Sequence, residues 1–169
     1  MEFNVAKQQF LQTWGKLGSE WGINRTMAQV HALLLISPKP LSTEEIMQEL
    51  QISRGNAHLN LRELMNWTLV DKELVAGERK EYFKAEKNLW EVARRIAKER
   101  KRREIEPVLQ VLKQVQHLDD ADDSNPETKE FLRMMKQLEG LVGKFDTTTE
   151  LLIKAEETWV FQSIMKLFN

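Results

Sequence analysis

Cysteine is absent from this chain of 169 residues. Its absence excludes disulfides, thiolate nucleophiles and Cys-ligated zinc. Histidine is scarce too: His31, His58 and His117 lie far apart, without the spacing of a metal site. The glycines form no phosphate-cradling loop. "DDADD" has the charge of a calcium loop, but its glycine and distal glutamate are out of register. No metal, cofactor or catalytic constellation is therefore expected. No apolar run approaches the roughly eighteen residues of a membrane span. The opening "MEFNVAKQQF" lacks the basic and apolar stretches of a signal peptide, so a cytoplasmic protein with no membrane partner is expected. Neither sign of charge dominates, with 25 Lys and Arg against 26 Asp and Glu. The chain as a whole has no pull toward nucleic acid. The one local basic excess is residues 88–106, with seven cations and four anions.

Present instead is helix periodicity. Phe10, Trp14, Leu17 and Trp21 fall at helical spacing and predict an amphipathic helix over 3–21. A second helix starts near Arg25 and stops before Pro38 and Pro40. Ser42 and Glu45 have the spacing of a capping box for a short third helix carrying Ile46 and Leu50. "QIS" turns the chain into a fourth, capped by Ser53. Beyond Trp67 the period shortens. Leu69, Leu74, Val75, Tyr82 and Phe83 predict two strands around a turn at Ala76-Gly77-Glu78-Arg79. Helix resumes from Trp90 to about His117. Asn125-Pro126-Glu127 starts another helix that runs to about Glu139. A last one, from Thr148 to Phe168, carries Leu152, Ala155, Trp159, Val160, Ile164 and Leu167.

Three helices followed by a hairpin is the order of a winged helix-turn-helix. The expected fold is mainly α with a small β-hairpin wing. Residues 1–87 would form the DNA-binding domain and 88–169 a helical dimerisation region.

The fourth helix, "ISRGNAHLNLRELMNWTLV", has one explicable face and one odd one. Ala57, Leu61, Leu64 and Met65 form an apolar stripe for packing. The other side carries Gly55, Asn56, Leu59, Arg62, Glu63 and Asn66, flanked by Arg54, His58 and Asn60. Gly55 costs about 1 kcal/mol of helix propensity but permits close backbone approach. Arg54 opposes the helix dipole, which a phosphate or guanine would offset. Leu59 can meet a thymine methyl, and Asn56 and Asn60 can read adenine edges. Each residue alone has a plainer explanation, since single exposed leucines and solvated arginines are common. Together they point to a reading helix in the major groove of double-stranded DNA. Arg79 and Lys80 at the hairpin tip would meet phosphate. The basic segment "RRIAKERKRRE" fits a solvated face with i,i+4 pairs such as Glu99–Arg103, or phosphate contact near the wing.

"WGINRT", "ISRGN", "LRELMNWTLV", "GERKEYF" and "ERKRREIEP" together resemble GbsR-type transcriptional regulators, a branch of the MarR-like winged helix-turn-helix family, over residues 10–115. The resemblance implies a dimeric DNA-binding repressor, with members controlling uptake or synthesis of osmoprotectants such as glycine betaine and choline. It assigns DNA contact to Ser53, Arg54, Gly55, Asn56, Arg62, Arg79 and Lys80. Family members commonly have glycine where this chain has Thr68, and a β-branched residue suits a left-handed helix end poorly.

A symmetric dimer would place two reading helices one turn apart on a palindromic operator. The long helix from Trp90, the helix containing Trp159 and the N-terminal helix are the candidate dimer surfaces. Trp14, Trp21, Trp67, Trp90 and Trp159 invite an aromatic cage for a quaternary ammonium effector, although burial on helical stripes explains most of them. A winged-helix module that binds protein instead of DNA is the alternative reading.

Overall fold

A computed structural model of the chain describes residues 1–74, 77, 80–118 and 125–155. The chain divides into two compact units, residues 1–92 and 93–169.

In the first unit, α1 (Phe3–Glu20) buries Leu11, Gly15 and Gly18. This is a correction to the predicted stripe, which lies one residue around the wheel. Phe10, Trp14 and Leu17 are half-buried and Trp21 is exposed. The reason is that α2 (Arg25–Ile36) comes close: a Cβ on Gly18 would stand 2.5 Å from Ala28 Cβ. Glycines form the contact here, and a count of apolar side chains cannot register them. The end of α1 is a Schellman motif. Gly22 sits at φ 74, and Ile23 N donates to Gly18 O at 2.8 Å.

Asn24 caps α2 through Met27 N. At its other end Lys87 Nζ donates to the carbonyls of Leu34, Leu35 and Ser37 at 2.8, 2.6 and 2.7 Å. A cation there also complements the helix dipole. The capping box forms as predicted: Glu45 N donates to Ser42 Oγ, and Ser42 N donates to Glu45 Oε2 at 2.7 Å. It opens α3 (Thr43–Leu50), which ends with Gln51 in the left-handed region. Ser53 accepts from Asn56 N and opens α4 (Arg54–Asn66).

The predicted hairpin is present as β2 (Val70–Leu74) and β3 (Glu81–Ala85), antiparallel, with Val70 opposite Ala85. Lys84 pairs across it with Glu73 at 2.9 Å, and Lys72 pairs with Glu81. A further strand, β1 (Leu41–Ser42), pairs with the other edge of β3, giving the order β1-β3-β2. Two residues are too few to show any period, so the sequence carried no sign of it. Val30, Leu33, Leu34, Ile46, Leu61, Leu64, Val70 and Phe83 form the core of this unit.

The end of α4 is a second Schellman motif: Leu69 N donates to Leu64 O, and Thr68 N to Met65 O, both at 2.9 Å. Buried Leu64 and Leu69 supply the apolar residues that accompany such an end. Thr68 therefore holds the left-handed position, at φ 57. The strain of a side chain there is about 1–2 kcal/mol, against roughly 0.5–1 kcal/mol of extra chain entropy for glycine. Thr68→Gly is thus expected to stabilise the unit by up to about 1 kcal/mol and to raise its melting midpoint by up to ~4–8 °C. A lower midpoint would mean that the hydrogen bond from Thr68 Oγ1 to Trp67 O outweighs the strain.

The helix α5 (Leu89–Arg100), which belongs to the second unit from Ala93 onward, continues through a π-helical turn, Lys101–Ile105, into α6 (Glu106–Gln114). Pro107 causes the widening. It has no N–H for the carbonyl four residues back, and its ring crowds that carbonyl. Lys101 leaves this turn toward α7 (Pro126–Lys154), pairing with Asp146 at 2.8 Å and Glu150 at 3.1 Å. Asn125, Pro126 and Glu127 open α7 as predicted. The expected break after Glu139 is absent, and one helix runs through "GLVGKFDTTT". Thr147, Thr148 and Thr149 each donate to the carbonyl four residues back. Glycine and threonine are poor helix formers, yet the helix and its apolar spacing through Leu138, Leu141 and Phe145 continue unbroken past them. The remainder of the predicted last helix, including Trp159, lies outside the described residues.

Candidate nucleic-acid interface

The first turns of α4 present the predicted residues as a solvent-facing surface. Ser53, Arg54, Gly55, His58, Leu59 and Arg62 are exposed, and Asn56 is half-buried. Leu59 is 66% exposed, while Ala57, Leu61 and Leu64 are buried against the rest of the unit. Nothing lies within 4 Å of a Cβ built on Gly55. Its backbone is not left-handed, so neither crowding nor turn geometry calls for glycine there.

Asn60 requires a correction. It is only 4% exposed, and its Nδ2 donates to Asn56 O at 2.8 Å and Asn56 Oδ1 at 2.6 Å. Its position on the helix places it beside the buried Ala57–Leu61–Leu64 stripe. There its amide orients Asn56 instead of facing outward.

The surface has an internal counter-charge. Glu44 Oε1 accepts from Arg54 Nη2 at 2.9 Å. Its own main-chain N–H, and then the charges of Arg54 and Lys80, hold the Glu44 carboxyl below the usual carboxylate range. The pair joins residues ten apart across a turn, a separation with no periodic signature in sequence. Arg62 and Lys80 are exposed. Arg79 lies outside the described residues.

The basic segment of the second unit is bound up in its own pairs. Glu99 is buried and accepts from Arg102 at 3.1 Å and from Arg103, while Arg100 pairs with Glu104 at 3.0 Å. These pairs favour the structural account of this segment, and they hold Glu99 below the usual carboxylate range, through Arg102 first and then Arg103. Trp67, a candidate for an aromatic cage, is buried and donates from Nε1 to Glu63 at 3.1 Å. Among the described residues no group of three or more His, Asp or Glu is placed to hold a metal. No helix among them is long and apolar enough to cross a membrane.

No family model matches the chain, and no curated protein matches it. The solved crystal structure of a transcriptional regulator is similar, with a TM-score of 0.66 and 19% identity over 88% of this chain and 95% of that one. At that identity the likeness establishes a common fold, mainly helical with a small antiparallel sheet.

Proposed function

We propose that this chain is a sequence-specific, double-stranded DNA-binding transcriptional regulator acting as a homodimer. The observation that carries the reading is the exposed, cation-bearing start of α4, where Arg54, Gly55, Leu59 and Arg62 share one open surface. Ser53, Asn56, His58, Arg79 and Lys80 complete the proposed contact set, with Arg79 and Lys80 on phosphate. The fold shared with a transcriptional regulator supports it. The motifs resembling GbsR-type proteins extend it to a repressor of osmoprotectant genes whose DNA affinity responds to a small-molecule effector. Residues 1–87 are proposed as the DNA-binding domain and 88–169 as the dimerisation region.

Retention of sheared genomic DNA from the source organism tests the reading. Sharp enrichment at a few inverted repeats is expected, and uniform retention would overturn sequence specificity. On an enriched site, Arg62→Ala is expected to cost about 1–3 kcal/mol and to relax base preference at one position per half-site. An unchanged affinity in titration would remove Arg62 from the reading surface.

Gly55 separates fold from function. Alanine fits the open space and is the better helix former, so Gly55→Ala should raise stability by up to about 1 kcal/mol. The added methyl would stand between backbone and DNA, so affinity should fall. Melting and titration of the same variant check both signs, and a gain in both would show that no close approach occurs there.

A further inference from the structure

Glu44 lies outside the reading helix, on the second residue of α3, yet it links the elements proposed to meet DNA. Arg54, its partner at 2.9 Å, is the first residue of α4. Lys80, just before β3, is near enough to act on the same carboxylate. Glu44 stands on the first turn of α3, whose position the capping box of Ser42 and Glu45 sets. A long surface arginine is thus paired with a shorter side chain on a neighbouring helix.

The pairing leaves Arg54 usable. Its side chain is still 62% exposed. A guanidinium carries five N–H donors in a rigid fork, so an edge on a carboxylate leaves another for a guanine or a phosphate. An arginine already held in place loses less side-chain freedom when it binds. The same carboxylate repels phosphates, a cost that falls on every DNA sequence alike.

We propose that Glu44 is a specificity-determining residue: it braces Arg54 for a base-edge contact at the start of α4 and, as an anion beside the contact surface, weakens binding to DNA that offers only phosphates. The inference rests on the DNA-binding reading above. Glu44→Gln keeps the size of the side chain and removes its charge, so the two halves of the proposal predict changes of opposite sign. Where a base contact exists, the charge-assisted pair becomes at most a neutral hydrogen bond, the brace weakens and discrimination falls. Where only phosphates are met, repulsion is removed and Arg54 is released to the backbone.

The test uses the full chain in three forms: unchanged, Glu44→Gln and Arg54→Ala. Each is taken through selection from a random-sequence duplex pool, and each is titrated with sheared heterologous DNA over a salt series. Glu44→Gln is expected to lose on the order of tenfold discrimination at one base pair per half-site, the same position that Arg54→Ala loses. It should also bind heterologous DNA several-fold more tightly, with a log–log salt slope steeper by about 0.9, the value of one phosphate contact. If Glu44→Gln keeps the full base preference, or binds selected and heterologous DNA more tightly by the same factor, Glu44 sets affinity alone and the proposal fails. If the unchanged protein selects no sequence and does not retain DNA, the DNA-binding reading itself fails. Near-equal melting midpoints for the unchanged protein and Glu44→Gln exclude a folding defect as the cause.

Discussion

Leu141→Glu combined with Phe145→Glu is expected to leave the protein monomeric. Phe131, Met134, Leu138, Leu141, Phe145 and Leu152 follow alternating steps of three and four along α7, with Thr148 filling the one polar place. That is the spacing of a coiled-coil seam. All six apolar residues are exposed, Leu141 at 53% and Phe145 at 62%. A continuous row of this kind exceeds the scattered apolar residues that a monomer's surface normally carries. In the proposed dimer a two-fold contact uses each residue twice. Two substitutions therefore bring four carboxylates into the seam, each costing several kcal/mol if left unpaired there. Dimers with micromolar to nanomolar constants are held by only about 8–12 kcal/mol. Sedimentation equilibrium should show a single-chain mass for the double variant, with circular dichroism unchanged because neither side chain supports the monomer's core. Operator affinity should fall toward that of one half-site. A variant that still sediments as a dimer would place the proposed interface away from α7.

Acidification is expected to cost the fold about 3 kcal/mol through His31 alone as pH falls from about 6.5 toward 4. His31 is 4% exposed, and its Nε2 is buried with no hydrogen-bond partner among the described residues. Burial, and secondly the charge of Lys87, lower its pKa to about 4. Between that value and the unfolded one near 6.5, the unfolded chain binds a proton that the folded chain refuses. Stability contributed by this group is thus complete above about 6.5 and is lost progressively down to about 4, where the slope ends. Urea unfolding across this range, compared with His31→Leu, isolates the contribution, since the variant retains every carboxylate but not this slope. Parallel curves would mean that His31 titrates normally. Lys87→Met should raise the His31 pKa by removing the second cause, visible as a shift of the ring resonances with pH.

Much of the fold was legible because its signals are local. Ser42 with Glu45, Ser53, Asn125 with Pro126, and the stop at Pro38 are all settled within one turn of backbone, and each lies where the sequence placed it. The hairpin followed from a change of period. What escaped depended on contacts between distant segments. The buried face of α1 is made by Gly15 and Gly18, whose value lies in the side chains they lack. β1 exists only because β3 offers it an edge. The continuity of α7 through its glycines and threonines runs against their propensity, so local preference gave the wrong end. In the candidate site, exposure of Arg54, Leu59 and Arg62 followed from the helical wheel. The inward turn of Asn60 and the pairing of Glu44 with Arg54 did not, because both are set by neighbouring side chains in three dimensions.

The π-helical turn at Lys101–Ile105 has a consequence for how this chain tolerates a change of length. A π turn closes five residues back instead of four, so it absorbs one residue more than an α turn. Loss of a single residue there, with Pro107 also replaced by a residue that has an N–H, is expected to restore ordinary winding while Leu112 and Gln116, which bonds Glu139, stay in phase with α7. The same loss inside α6 would rotate the following side chains through about 100° and turn that face away. Once that proline is gone, a one-residue gap in this turn is a neutral spelling difference between related chains, whereas the same gap a few residues later would rewrite the second unit.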